Sequence, residues 1–449
     1  MSTSVRGSWF VRRARRGFAI AIVLWAVAVI AVMLVAIQIA SYRQAASGRE
    51  ALARVRAHWA ARAGVETVIA KVQGQTRTGS PVSTVSLMAS IAAEPEGTVG
   101  DATWRVEHTD DNGTLQPGVF DTHTRINVNL MTAEDLMLLP DMTEEISQSI
   151  IDYIDADEDA QASGAEAETY GTLEHSYKPR NGPIRTLAEL DLVYGVQPEY
   201  VRGADTDLNG IVSNRERTSG DSTLQTASVA ENGWSAYITA SSSTTGLTPL
   251  GEPRTDLTAT DAGSLQGLLG VNTTQADAII AAATASGATM ETFLRTSLTD
   301  LATQAAQATG QQLPANRRPP DLTRDQLILL YDSCMIGPVT ATKPGKLNIN
   351  TCSRDILDYY ATLDRTIADE IIEYRDRTSG EMASIVELLD IPGLSRTQLA
   401  TLAAQFDVAS TVFIATSRGR DPATGIEVEM IAEIDRSTMP VTIRSLRVR

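Results

Sequence analysis

Residues 12–40 read RRARRGFAIAIVLWAVAVIAVMLVAIQIA, and this stretch decides the fold class. From Phe18 to Ala40 the run is apolar, with Gln38 the one clearly polar residue. At about 1.5 Å of rise per residue, a helix of this length crosses a hydrocarbon core of about 30 Å. Arg6, Arg12, Arg13, Arg15 and Arg16 precede the run, and few basic residues follow it closely. By the positive-inside rule the N-terminus stays in the cytoplasm and everything after about Ser41 is exported. A secretory signal cut near Ala40 is the alternative, but its apolar core is usually about 7–15 residues, shorter than this run.

The helical pattern continues beyond the membrane. Leu52, Val55, Trp59, Ala63, Val65 and Ile69 recur at helical spacing within the Ala- and Arg-rich stretch Ser41–Gln73. Gly48 and Gly64 weaken this helix modestly, and Gly74 with Gly79-Ser80-Pro81 ends it. One helix from Phe18 to about Gln73 thus joins a membrane anchor to an amphipathic stalk.

The exported body is acidic. Without the five leading arginines the formal net charge of −17 becomes −22. Such a surface repels phosphate backbones and suits divalent cations. Cys334 and Cys352 are the only cysteines, which excludes a disulfide scaffold and a zinc ribbon. A Cys334–Cys352 disulfide in an oxidising compartment and a pair of buried thiols both remain open. Enzyme classes find no support. The four histidines, His58, His108, His123 and His175, form no H-E-x-x-H, and neither G-x-S-x-G nor a Walker-type loop occurs.

A repeat organises the middle of the chain. Arg125-Ile-Asn-Val-Asn-Leu-Met-Thr-Ala-Glu134 opens one helical stretch and Lys346-Leu-Asn-Ile-Asn-Thr-Cys-Ser353 another. Each ends in Leu187-Ala-Glu-Leu190 or Ile385-Val-Glu-Leu388, then Val193-Tyr-Gly195 or Ile391-Pro-Gly393. This is an internal repeat of helical hairpins. Helix-hairpin-helix modules that bind DNA present a Gly-rich turn beside Lys or Arg. Here the turns read Leu139-Pro-Asp-Met-Thr143 and Leu363-Asp-Arg-Thr366, without glycine, so no nucleic-acid partner is expected. Residues 217–320 read as a divergent insertion with Ala-rich helices near 274–285 and 298–308. Strands are expected at 102–108, 234–239, 408–416, 425–434 and 441–448, with a turn over 418–425.

The sharpest local motif is Asp205-Thr-Asp-Leu-Asn-Gly-Ile-Val-Ser-Asn-Arg-Glu216, which matches D-x-[DN]-x-[DN]-G-x5-E at every specified position. Asp205, Asp207 and Asn209 would supply alternate oxygens, and Gly210 the sharp turn. Ile211 would offer its carbonyl, Ser213 a direct or water-bridged ligand, and Glu216 a bidentate carboxylate. The expected ion is a structural Ca2+.

Arg15-Arg16-Gly17-Phe18, followed by pure hydrophobics, resembles a prepilin-peptidase site. With the stalk, the hairpin units and the final strands, the chain resembles the GspK family of minor pseudopilins (general secretion pathway protein K) of bacterial type II secretion systems. The resemblance implies cleavage after Gly17 and methylation of the new N-terminal Phe18. The fifth mature position is then Ile22 where most pilins carry Glu, a peculiarity of the GspK type, which sits at the pseudopilus tip. It implies an α+β fold with a leader (1–17), a transmembrane and stalk helix (18–75), and a pilin-like domain split between 76–124 and 408–449. A large helical domain (125–407) is inserted between the two parts. It also implies a non-enzymatic role in the inner membrane with a periplasmic body, and other minor pseudopilins and prepilin peptidase as partners. The cluster Asp155, Asp157, Asp159, Glu166 and Glu168, followed by Tyr170, resembles the family's calcium-associated acidic segment. A dication would relieve the mutual repulsion of these carboxylates.

Overall fold

The computed structural model describes residues 11–77, 83–110, 114–208, 233–244, 246, 248, 252–308, 310, 312–314, 317–338, 343–359, 365–377, 381–437 and 440–449. Helix α1 runs without a break from Val11 to Arg77, 67 residues, or about 100 Å. Its first part exposes a surface from Phe18 to Ile39 that is apolar but for Gln38. Its second part buries Ala53, Ala57, Ala60, Ala61, Val65, Val68 and Val72. That change from all-round apolar to one-sided burial marks where the membrane anchor becomes a packed stalk.

The stalk lies on an antiparallel sheet. Strands β1 (Glu96–Val99), β2 (Ala102–Thr109), β3 (Leu115–Pro117) and β4 (Phe120–Asp121) come from before the helical domain. Strands β13 (Val412–Arg420), β14 (Glu427–Asp435) and β15 (Thr442–Val448) come from after it. The order is β1-β2-β13-β14-β15, with β3 on β2 and β4 on β13. The register Arg105↔Arg418 joins the early and late segments. Small residues set the helix–sheet distance: a Cβ on Gly419 would collide with the Ala57 carbonyl and the Ala61 amide, and one on Gly64 with Ser417. Strand β13 therefore continues to Arg420, through the first part of the expected 418–425 turn. Arg418 is held between Glu107 and Glu429, both at 2.9 Å, and Gly419 lies under the stalk. The turn itself is closed by Asp421, whose carbonyl accepts the Gly425 amide at 2.8 Å.

Between β4 and β13 lies the helical domain, with its own continuous core. Three units in it share one plan: a two-residue strand, helices, and a closing two-residue strand that pairs back in parallel. In the first unit β5 (Ile126–Asn127) pairs with β6 (Ile238–Thr239). In the middle unit β8 (Thr255–Asp256) pairs with β9 (Cys334–Met335). In the last unit β11 (Leu347–Asn348) pairs with β12 (Phe406–Asp407). Much of the span read from sequence as a divergent insertion is therefore a unit of the same plan, with helices Ala262–Leu269, Thr273–Ala283, Met290–Arg295, Leu298–Ala308 and Arg324–Ser333. The expected strand at 234–239 is a 3-10 turn, Trp234–Ala236, leading into β6, because Trp234 is buried and bonded to the Pro140 carbonyl at 2.8 Å.

The Asn-x-Asn motifs clamp the outer units. Asn127 Oδ1 accepts the Asn129 amide at 3.0 Å, and Asn348 Oδ1 accepts the Asn350 amide at 2.9 Å. Asn129 then bonds both the amide (2.7 Å) and the carbonyl (2.9 Å) of Ile184. Asn350 does the same with Met382 at 2.8 and 2.9 Å. In the middle unit Asp256 takes the first role, accepting the Thr258 amide at 2.9 Å.

A buried polar seam joins the two domains. Asp121 accepts from Ser410 Oγ at 2.6 Å and Thr351 Oγ1 at 2.7 Å. His123 Nδ1 donates to the Lys346 carbonyl at 2.8 Å, and its Nε2 accepts the Thr411 amide at 3.2 Å. Arg436 donates to the Ser410 carbonyl at 2.8 Å. The two cysteines are unbridged: buried Cys334 ends the middle unit in β9, and buried Cys352 opens the helices of the last unit. The possible Cys334–Cys352 disulfide is thus not formed here, and burial pushes the Cys334 thiol up to about 12.

Candidate metal site and stalk surface

Helix α4 (Glu144–Ile154) of the first unit ends at Asp155, its C-terminal cap. The chain then makes an irregular loop and re-enters a one-turn helix, α5 (Ala167–Gly171), with Glu166 at its N-cap. This brings together three of the acidic residues singled out in the sequence: oxygens of Asp155, Asp157 and Glu166 lie within 4.8 Å of one another. Calcium takes oxygen ligands at about 2.3–2.6 Å, so two ligands on one ion lie within about 5 Å of each other. Glu166 is only 5% exposed. Both its carboxylate oxygens, and Oδ1 of Asp155, are buried without a hydrogen-bond partner among the described residues. Burial of unpaired carboxylate oxygens is costly, and a bound cation offsets that cost. Burial, then the charges of Asp152 and Asp155, push the Glu166 carboxyl above its ordinary range. Burial, then Asp157 and Asp152, do the same to Asp155.

The structure does not bring Asp159 or Glu168 into this group; both are exposed. Glu168 lies on the first turn of α5, two residues past Glu166, and two helical steps rotate a side chain by about 200°. Sequence reading missed Asp152, a fully buried carboxylate on α4 that accepts the Gln161 amide at 3.2–3.3 Å. Its signal was present: an Asp on the apolar face of an amphipathic helix. Buried Tyr170 meets Tyr153 edge-on and Tyr177 at a tilt, with 6.1 and 5.2 Å between ring centroids, and its hydroxyl accepts the Tyr194 amide at 3.0 Å.

Of the second motif, Asp205 and Asp207 are described; Asn209, Ile211, Ser213 and Glu216 lie outside the described residues. The Asp207 carboxylate pairs with Arg449, and its carbonyl accepts from Arg447 at 3.1 Å and Arg449 at 3.2 Å. The start of this motif is therefore fastened to Arg447 within β15 and to Arg449 just past it.

On α1, Leu52, Val55 and Trp59 are 51%, 52% and 60% exposed. Their spacing puts them in one stripe opposite the face that Ala53, Ala57 and Ala60 bury on the sheet. The same part of the helix carries the ion pairs Arg54–Glu50 and Arg62–Glu66. Gly17 and Phe18 lie on the same helix, with Phe18 exposed. The histidines do not form a catalytic group: His123 is consumed by the seam and His175 is exposed.

Residues 125–204, the first unit with its acidic loop, match the family model described as type II secretion system (T2SS), protein K. Residues 343–407, the last unit, match the helix-hairpin-helix motif. No curated protein matches the chain. Among solved structures it is similar to a chain from the crystal structure of the GspK-GspI-GspJ complex of the enterotoxigenic Escherichia coli type 2 secretion system. That similarity is at 10% identity and a TM-score of 0.44, over 90% of this chain and 99% of that one.

Proposed function

We propose, from the premise that this chain is of the protein K type of type II secretion component, that it is the minor pseudopilin at the tip of a pseudopilus. In this reading prepilin peptidase cuts after Gly17, Phe18 becomes the methylated N-terminus, and the apolar half of α1 anchors the chain in the inner membrane with its body in the periplasm. The large helical domain stands above the pilin-like sheet, so no further subunit stacks on it, and the chain initiates assembly rather than extending it. Its contribution is binding energy, not catalysis.

The observation that carries this reading is α1 itself: one 67-residue helix, apolar all round at first, then buried on one side while its other side keeps Leu52, Val55 and Trp59 exposed. An apolar stripe on a stalk anchored in a membrane fits the stalks of other minor pseudopilins lying alongside. Trp59→Asp combined with Leu52→Asp leaves the chain's own core untouched and should abolish co-purification with those subunits from detergent extracts. Unchanged co-purification would remove the stalk from the interface.

Calcium belongs to the same reading. Asp155, Asp157 and Glu166 would hold it, neutralising three carboxylates and tying the end of α4 to the start of α5; Asp205, Asp207, Asn209, Ile211, Ser213 and Glu216 form a second candidate loop. A DNA-binding alternative rests on the helix-hairpin-helix match. Against it stand the acidic side chains along that unit, Asp355, Asp358, Asp369, Glu370 and Glu373, and the net charge of the body.

A further inference from the structure

We infer that Asp152 and Gly164 form the device that builds the calcium site: Asp152 is a positioning residue that draws the 161–165 segment back over the last turn of α4, and Gly164 supplies the space this needs. The inference rests on the calcium reading of Asp155, Asp157 and Glu166.

Asp152 is fully buried, one turn before Asp155. Its carboxylate receives the backbone amide of Gln161 at 3.2–3.3 Å. One turn earlier, Gln148 Oε1 accepts the Ser163 amide at 2.6 Å. Two amides of a loop without regular structure are therefore collected by one helix. Gly164 sits directly on Asp152, where any Cβ would collide with the carboxylate. The next residues are Ala165, fully buried, and Glu166, delivered within reach of Asp155 and Asp157. Ordering such a loop costs about 1–2 kcal/mol per residue in backbone entropy. A site that must gather Glu166 from eleven residues beyond Asp155 needs that ordering in place before the ion arrives.

The last unit shows the same helix without the device. Counted from the clamping asparagine, the residue of Arg365–Arg377 that matches Asp152 is Glu373. Glu373 is exposed and pairs along the helix with Arg377. A buried carboxylate at that position is not required by the fold; burying it serves the loop that the first unit carries.

The test uses the full chain in detergent, with Ca2+ titrated calorimetrically and Tb3+ as a luminescent probe whose lifetimes in H2O and D2O count bound waters. Gly164→Ala removes no carboxylate, yet it should weaken Ca2+ at least tenfold and add one or more waters to bound Tb3+, as Glu166 is withdrawn. Asp152→Asn should do the same, with melting in EDTA close to that of the parent for both variants. Parental affinity and hydration in both variants would overturn the inference while leaving the calcium reading intact. Loss in Asp152→Asn with none in Gly164→Ala would make Asp152 a direct ligand and overturn the positioning role. A parent chain that binds neither ion would overturn both.

Discussion

The first and last helical units are the same frame put to different uses. Each opens with Asn-x-Asn, and each second asparagine clamps a backbone segment by two hydrogen bonds. In the first unit that segment lies 55 residues downstream of the asparagine; in the last it lies 32 downstream. The 23 extra residues fall almost wholly between α4 and Ile184, where the acidic loop lies. The closing strands differ in the same way. β12 follows its helix directly at Phe406, whereas β6 at Ile238 waits until after the Asp205–Glu216 motif. Both candidate calcium segments are thus additions to a frame that closes without them in the last unit. The clamp supports the fold; the insertions carry the candidate metal ligands.

This comparison can be broken most forcefully at the clamps. Asn350→Ala strands the buried amide and carbonyl of Met382, and Asn129→Ala those of Ile184. Each should cost about 2–6 kcal/mol, since each of the two unsatisfied buried polar groups costs about 1–3 kcal/mol. Urea unfolding of both variants would measure this, and a negligible loss in either would end the claim of a shared frame. Calcium removal should come next and should separate the units. A ligand at a hundredfold excess over its Kd stabilises by about 2.7 kcal/mol. Adding EDTA should therefore lower the melting temperature by several degrees and speed hydrogen exchange of the 155–166 amides, leaving the Arg396–Gln405 helix unchanged. Asp155→Asn with Glu166→Gln should erase the difference.

The smallest effect belongs to the seam that ties the units to the sheet. Burial holds His123 below the ordinary histidine range, against the opposing pull of Asp121 and Asp407; Arg436 adds to the lowering. A histidine whose folded pKa is depressed stabilises least in acid. As pH falls below about 6.5 the unfolded chain takes up a proton that the folded chain refuses, and stability falls by at most about 1.4 kcal/mol per pH unit. His123→Gln should flatten this part of the profile between pH 6.5 and 5 in chemical denaturation. An identical slope in both proteins would mean that the seam does not titrate.

Much of this was legible in the sequence because it rests on periodicity and capping. The stalk announced itself through an apolar run and Leu52, Val55 and Trp59 at helical spacing, and the late strands through alternation. The Asn-x-Asn openings marked the outer units because the clamp needs that residue type at that spacing. The middle unit was opaque for the same reason: Asp256 and Thr258 stand where the asparagines would be, and its Ala-rich helices give little contrast between faces. Strand β13 runs on into the expected turn because Arg418 and Gly419 answer to β2 and the stalk, neither of which is near them in sequence. Asp152 was legible as an Asp on the apolar face of an amphipathic helix, but its partner was not, because a backbone amide carries no sequence signal.

The central claim is that this chain is a processed pilin-like subunit, and the most direct test is the intact mass and N-terminal sequence of the membrane-extracted protein, with and without prepilin peptidase. The account expects a chain beginning at methylated Phe18 only when the peptidase is present. A chain beginning near Ser41, or one that keeps residues 1–17 in the presence of the peptidase, would contradict it.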